Sequence, residues 1–326
     1  MKRSALIRLI GASTLMAPFP GMAQKASKAV LGLLTTARPD ANTLRAIHMG
    51  LADRGYVEGR NIDIVARSAD GDFDRMPSLA AELVAAPVSV FLAFGGPIPA
   101  RAAKEVTATI PIVFAYGGEP VLDGLVVSFN RPGGNVTGAT FMSATLVGKT
   151  MQLLREALPR MDEVALLVNR KSTLADLQIR DGEVAARTLG VRLRVVNAGN
   201  ADEIDLAFET IVRAKVDALM VSTDPTLGLL HSKQIVDLAA RYGVPTIYPT
   251  RLDTRYEALM TYGASSMDAL RQAAGYAGRV LDGEKPSGLP ILQPTTYELT
   301  INLKTAKALG LTMPPSLLTL ADEVIE

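Results

Sequence analysis

The sequence predicts an α/β protein of two Rossmann-like lobes, each built on a parallel sheet with helices on both faces. Three observations carry that prediction. Short runs rich in Val, Ile, Leu and Phe alternate with stretches of helical apolar spacing, the pattern of βαβ units. The second half of the chain repeats the plan of the first. The chain's 326 residues, 48% of them apolar, suffice for two cores, since a domain takes roughly 100–200 residues.

The first half opens with Val30–Leu34, an uninterrupted apolar run that reads as a buried strand. Residues 40–54 follow as a helix, with Leu44, Ile47 and Leu51 on one face at the spacing an amphipathic helix requires. Asn61–Arg67 is a second strand, Phe73–Ala86 a helix, Val88–Phe94 a strand, Pro97–Thr107 a helix and Ile112–Tyr116 a strand. In the second half, Val164–Val168, Val191–Asn197, Val216–Ser222 and Pro245–Tyr248 read as strands. The helices Thr173–Leu189, Ala201–Arg213 and Thr226–Tyr242 separate them. Val30 to Ile62 is 32 positions and Val164 to Leu193 is 29. In both halves the helix before the second strand ends at a glycine, Gly55 and Gly190, a helix-stop signal.

The connections imply that the chain passes between lobes more than once. Val136–Phe141 leads into a helix over Ala144–Leu158, and Ala258–Tyr262 into another over Ser265–Leu281. Gln293–Leu311 adds a strand and a short helix without a new lobe to join. The expected division is residues 28–142 plus 264–290 for the N-terminal lobe and 143–263 plus 291–326 for the C-terminal lobe. Such a cleft closes on small ligands by hinge motion.

The N-terminus reads as an export signal over residues 1–23. Lys2 and Arg3 start it, Leu9–Ala17 is its apolar stretch, and Gly21-Met22-Ala23 is a small-residue end with the cut after Ala23. A buried first helix is the other reading, opposed by Pro18 and Pro20. With no cysteine for a lipid anchor, the expected destination is the periplasm.

Composition removes several kinds of chemistry. Zero cysteines exclude disulfides, thiolate metal sites and Cys nucleophiles. The two histidines, His48 and His231, fit no metal or triad motif and sit at the edges of apolar helix stripes. A formal net charge of +1, without a long basic run, argues against nucleic acid as a partner. Gly95-Gly96 and Gly117-Gly118 match neither phosphate-binding glycine pattern, and no cofactor is expected.

Ligands of open α/β sheets sit beyond the carboxyl ends of the strands. That rule selects the runs Thr35–Arg38, Phe94–Pro97 and Tyr116–Glu119 from the first lobe, and Asn169–Ser172, Thr223–Thr226 and Tyr248–Thr250 from the second. Within them Thr35, Thr36, Gly95, Gly96, Pro97, Tyr116, Glu119, Thr223, Asp224 and Tyr248 are the candidate contacts. Arg38 joins them as a possible carboxylate clamp, and Phe94 and Tyr262 as further aromatic walls beside Tyr116 and Tyr248. A ligand that carries an ammonium needs a carboxylate, and Glu119 and Asp224 offer one per lobe. Each has a plainer reading: Asp224 as the N-cap of the following helix, Glu119 as a solvated loop acid.

Certain runs also resemble one family. They are Gly55-Tyr-Val-Glu-Gly-Arg-Asn-Ile62, Ile110-Pro-Ile-Val-Phe114, Pro132-Gly-Gly-Asn-Val-Thr-Gly138, Ile301-Asn-Leu-Lys-Thr-Ala-Lys-Ala-Leu-Gly-Leu311, Pro314-Pro-Ser-Leu-Leu318 and Ala321-Asp-Glu-Val324. Together they resemble the substrate-binding proteins of ABC transporters, in the family with tryptophan- and tyrosine-binding members, from about residue 29 to residue 326. The resemblance implies a type I periplasmic-binding fold with three interlobe crossovers, acting as a monomer that hands a small molecule to a permease and its ATPase. It also matches Asp224 to a strand-end Thr-Asp pair at the cleft, whereas Glu119 stands where Asp before Pro is usual. The function expected is capture of an amino acid or related small carboxylate, without catalysis. The alternatives are a ligand-sensing module for a receptor, or an exported enzyme using Glu119 and Asp224 as acid and base.

Overall fold

The computed structural model describes residues 28–141, 143–250 and 258–326. The leader expected over residues 1–23 and its cut after Ala23 lie outside them.

The first lobe contains β1 (Ala29–Thr35), α1 (Ala41–Ala52), β2 (Ile62–Ser68), α2 (Met76–Ala85), β3 (Val90–Phe94), α3 (Pro97–Val106), β4 (Ile112–Tyr116) and β5 (Val136–Thr140). The second contains α4 (Val147–Ala157), β6 (Glu163–Val168), α5 (Ala175–Leu189), β7 (Arg192–Asn197), α6 (Ala201–Ala214), β8 (Ala218–Val221), α7 (Ser232–Tyr242), β9 (Thr246–Tyr248) and β10 (Met260–Gly263). There follow α8 (Ser266–Leu281), β11 (Glu298–Asn302), α9 (Leu303–Ala308), α10 (Pro315–Leu320) and β12 (Glu323–Ile325).

Among the described residues the first sheet is parallel, in the order β2-β1-β3-β4-β5. The second repeats that order as β7-β6-β8-β9-β10, then adds β11 antiparallel to β10 and β12 parallel to β11. The repeat expected from strand spacing is therefore a repeat of topology. In both sheets the order reverses beside the first strand of the unit, and ligands of doubly wound folds bind at that switch point.

The central strands read as continuous apolar runs because both faces are covered. Along β4, Ile112, Phe114 and Tyr116 enter one core cluster while Val113 and Ala115 enter the cluster on the opposite face. The second sheet is packed the same way: Leu166 and Val168 of β6 face one cluster, Ala165 and Leu167 the other.

Helix α8 follows a strand of the second sheet yet packs on the first, placing Leu270, Ala273, Ala274 and Ala277 in the same core as Leu31 and Leu33. Gly50 of α1 permits this approach, since a Cβ there would lie 2.0 Å from the Arg271 carbonyl oxygen. The chain then stays with the first sheet as far as Leu292, two residues past the expected boundary at 290. The Leu292 N–H donates to Gly138 O at 2.9 Å, and the Leu292 carbonyl accepts from Thr140 N at 2.8 Å. Three passages thus link the lobes, after β5, after β10 and between Leu292 and β11.

Several helices start differently from expectation. The one expected over Ala144–Leu158 opens as a 3-10 turn over Ser143–Leu146 before α4 begins, and the one expected from Thr173 begins at Ala175. The one expected from Phe73 opens as a 3-10 turn over Phe73–Arg75, and α2 begins at Met76 with Pro77 in its first turn, where a missing N–H disrupts nothing. The one expected over Thr226–Tyr242 opens as a π-turn over Thr226–Leu230, closed by the His231 N–H on Thr226 O at 3.0 Å, before α7 begins. Single π-turns of this kind concentrate at functional sites.

Candidate ligand-binding site

Between the lobes lies a cavity of about 90 Å³, room for several waters or part of a small organic molecule. Its first-lobe walls are Phe94–Pro97 after β3, Tyr116–Gly118 after β4, and Phe141 after β5. Its second-lobe walls are Ser172–Leu174 ahead of α5, Thr223–Pro225 and Gly228 after β8, and Pro249 and Thr250 after β9, with Ser266 at the start of α8. Most of these runs follow the carboxyl end of a strand. Helices α3, α5 and α8 begin beside the cavity, so first-turn N–H groups and positive dipole ends surround it.

The lobes touch across this cleft. Gly96 has φ 111°, and a Cβ there would stand 2.5 Å from Pro225 Cγ. Only glycine fits this position, on both conformational and steric grounds. A second interlobe contact joins the Thr173 hydroxyl to Asp123 Oδ1 at 2.5 Å.

Asp224 is 7% exposed. Its Oδ1 accepts from Thr226 N at 2.9 Å and Leu227 N at 3.1 Å, and Asn169 Nδ2 lies 3.4 Å from each oxygen. Burial raises its pKa above the ordinary carboxylate value, opposed by the bonds from Leu227, Asn169 and Thr226. Asp224 therefore caps the π-turn, its plainer reading, and also forms part of the cavity wall. Beside it, the Thr223 N–H donates to Gln178 Oε1 at 2.7 Å and its carbonyl accepts from Gln178 Nε2 at 3.2 Å. Gln178 is 1% exposed, a buried amide that holds this loop in place. Among the described residues the buried Thr223 hydroxyl has no hydrogen-bond partner.

Tyr116 packs its ring edge-on against Phe114, with centroids 5.2 Å apart, and donates its hydroxyl to Asp123 Oδ2 at 2.8 Å. Burial foremost, and then the Asp123 carboxylate, push its pKa up, so it stays a neutral donor.

Of the residues singled out from sequence, Gly95, Gly96, Pro97, Tyr116, Thr223 and Asp224 line the cavity, as does Phe94. Thr35 and Thr36 instead line an adjoining recess of about 130 Å³ that shares Phe94 and Gly95 with it. There the Thr36 hydroxyl donates to Gly95 O at 2.9 Å, which fixes the β3–α3 loop. Arg38 borders that recess but is largely exposed and pairs with Asp70 at 3.4 Å.

Three further residues are not brought to the cavity. Tyr248 is 0% exposed within the second-lobe core, because its ring fills the space between β9 and the helices on that face. Tyr262 stacks on Tyr297 with centroids 6.1 Å apart, on the antiparallel side of the second sheet. Glu119 turns back on its own loop, its Oε1 accepting from Val121 N at 3.4 Å. The first-lobe acid behind the cavity wall is Asp123, reached through Tyr116. Sequence reasoning missed Asp123, Phe141, Thr173, Leu174 and Ser266. Position just beyond a strand was a signal for Phe141 alone.

Among the described residues no group of three or more His, Asp or Glu is placed to hold a metal ion, and no helix is long and apolar enough to cross a membrane.

Residues 39–325 match the family described as ABC transporter substrate binding protein. A protein of Clostridioides difficile (strain R20291), named tyrosine-binding protein, is 28% identical over 263 residues, covering 80% of this chain and 74% of that one. Two solved structures show the same fold. A conserved domain protein from Vibrio cholerae superposes with TM-score 0.84 at 24% identity, covering 91% of this chain and 100% of that one. An ABC domain in complex with L-Trp from Streptococcus pneumonia gives 0.83 at 23% identity, covering 92% and 100%.

Proposed function

The chain belongs to the ABC transporter substrate binding protein family, and from that premise we propose that it is the periplasmic solute-binding component of an importer. In this reading it captures an amino acid or related small carboxylate between its lobes and delivers it to a permease driven by an ATPase. It works as a monomer that binds without transforming its ligand, after export and cleavage behind Ala23. Its lobes are residues 28–142 plus 264–292 and residues 143–263 plus 293–326.

The observation that carries the ligand class is Asp224, a buried carboxylate at a cavity whose other walls include Phe94, Tyr116, Phe141 and Leu174. A carboxylate removed from water calls for a cationic partner, and a ligand ammonium supplies one. The ligand's apolar body then lies against the rings, and its own carboxylate meets the N–H groups at the helix starts. The tyrosine named for one relative and the L-Trp bound to another have this chemistry.

The test is a thermal-shift screen of the mature chain, unfolded and refolded first to strip any carried ligand, against amino acids, aromatic acids and small carboxylates. A ligand at 1,000 times its Kd adds about 4.1 kcal/mol, a clear rise in melting temperature. The chain contains no tryptophan, so L-tryptophan can also be titrated through its own indole emission. Stabilisation by amino acids supports the reading. Stabilisation only by acids without an amine discards the ammonium–Asp224 pairing, and silence across the panel discards the ligand class.

A further inference from the structure

We infer that Asp123 is a positioning residue that ties the ligand-facing ring of Tyr116 to lobe closure through Thr173; this rests on the binding function proposed above. The Asp123 side chain is 0% exposed. Its Oδ2 accepts from the Tyr116 hydroxyl at 2.8 Å, within the first lobe. Its Oδ1 accepts from the Thr173 hydroxyl at 2.5 Å, across the cleft. Among the described residues the cation paired with it is Arg101, 3.8 Å away on a 43% exposed side chain. A buried carboxylate thus depends on two hydroxyl donors, one in the cavity wall and one on the opposite lobe.

The consequence follows from the cost of an unpartnered buried charge. When the lobes part, Thr173 leaves with the second lobe and water takes its place at Oδ1. Closure removes that water, and the closed form is tolerable only because Thr173 arrives in the same position. The Tyr116 hydroxyl is committed to Asp123, so the ligand meets the ring of Tyr116 and not its donor. The ring is held by Asp123 on one side and by Phe114, with centroids 5.2 Å apart, on the other. A ligand that fits against this ring therefore finds the carboxylate already aimed at the place Thr173 must occupy.

Because Asp123 acts on closure and touches no ligand, breaking the link should weaken all ligands alike, by the fraction of molecules that remain able to close. Thr173 is the residue to change first. It lies at the exposed rim of the cleft, ahead of α5, so Thr173→Val threatens folding less than any change at Asp123. The proteins to compare are wild type, Thr173→Val, Thr173→Ser and Asp123→Asn. Each is titrated with L-tryptophan, L-tyrosine and benzoate, and its radius of gyration is measured by small-angle scattering with and without them. The expected result for Thr173→Val is a Kd raised by roughly 10- to 150-fold, the loss of one hydrogen bond to a charged group, by the same factor for every ligand that binds. Thr173→Ser restores affinity, and the ligand-saturated valine variant is less compact than wild type. Equal affinity in wild type and Thr173→Val overturns the inference while leaving the binding function standing, as does a loss confined to one ligand. If no probe binds wild type, the ligand class fails and the ligand-free radii decide: a more expanded Thr173→Val supports the link, and equal radii overturn it.

Discussion

Changing Asp224 to Asn should move affinity and stability in opposite directions. The substitution keeps an oxygen for the Thr226 and Leu227 N–H groups, at 2.9 and 3.1 Å in the native structure, and Asn caps helical turns about as well as Asp. The charge is removed, and of the two long 3.4 Å contacts from Asn169 the one to Oδ2 is lost with it. Burial holds the folded pKa of Asp224 above its ordinary value of 3.8. The ligand-free folded state therefore binds a proton more readily than the unfolded chain, and stability contributed by this group falls as pH rises from 3.8 through the folded pKa. At neutral pH the ionised, ligand-free site is a burden that asparagine relieves, so the variant should melt at or above the wild-type temperature. A ligand ammonium, by contrast, loses a hydrogen bond to a charged group, which contributes roughly 1.5–3 kcal/mol and converts to roughly a 10- to 150-fold rise in Kd. Calorimetric titration with the amine ligand identified by screening, alongside thermal melts of the ligand-free proteins, reads both. Wild-type affinity for that ligand in Asp224→Asn would refute the pairing, and a large drop in melting temperature would show that the carboxylate serves the fold first.

The same carboxylate makes affinity for amine ligands fall on acidification, as Asp224 takes up its proton above the usual carboxylate range; titrations from neutral pH downward check this, and Asp224→Asn should flatten the profile. Gly96→Ala should cost about 1–3 kcal/mol from forcing a side chain onto φ 111°. By colliding with Pro225 it should also leave the ligand-saturated protein as extended as the free one by scattering. Gly50→Val should destabilise by about 1–3 kcal/mol through overpacking α1 on α8, seen as a lower urea midpoint, with Kd unchanged. Glu119→Gln should leave Kd within about twofold, because Glu119 does not reach the cavity; a larger change would return it to the site.

The lobes, their strands and most of the strand-end loops were legible in the sequence because they depend on local patterns. Unbroken apolar runs mark strands covered on both faces, and Gly190 ends its helix in the left-handed conformation that glycine favours, whereas the helix before Gly55 already stops at Ala52. The rule that ligands bind beyond strand ends then finds Gly95–Pro97 and Thr223–Asp224 without any coordinates. That rule fails where two residues share the same local signature. Tyr116 and Tyr248 each end the fourth strand of a five-strand repeat, yet one borders the cavity and the other is sealed in a core. Alternation along a strand tells which residues share a face, and the helices packed on that face decide whether it meets ligand or leucine. Asp123, Thr173 and Ser266 carried no signal because loops from separate parts of the chain bring them together. Their roles arise when the two lobes meet, an event set by long-range packing such as that of α8 on α1 and by no pattern within either loop.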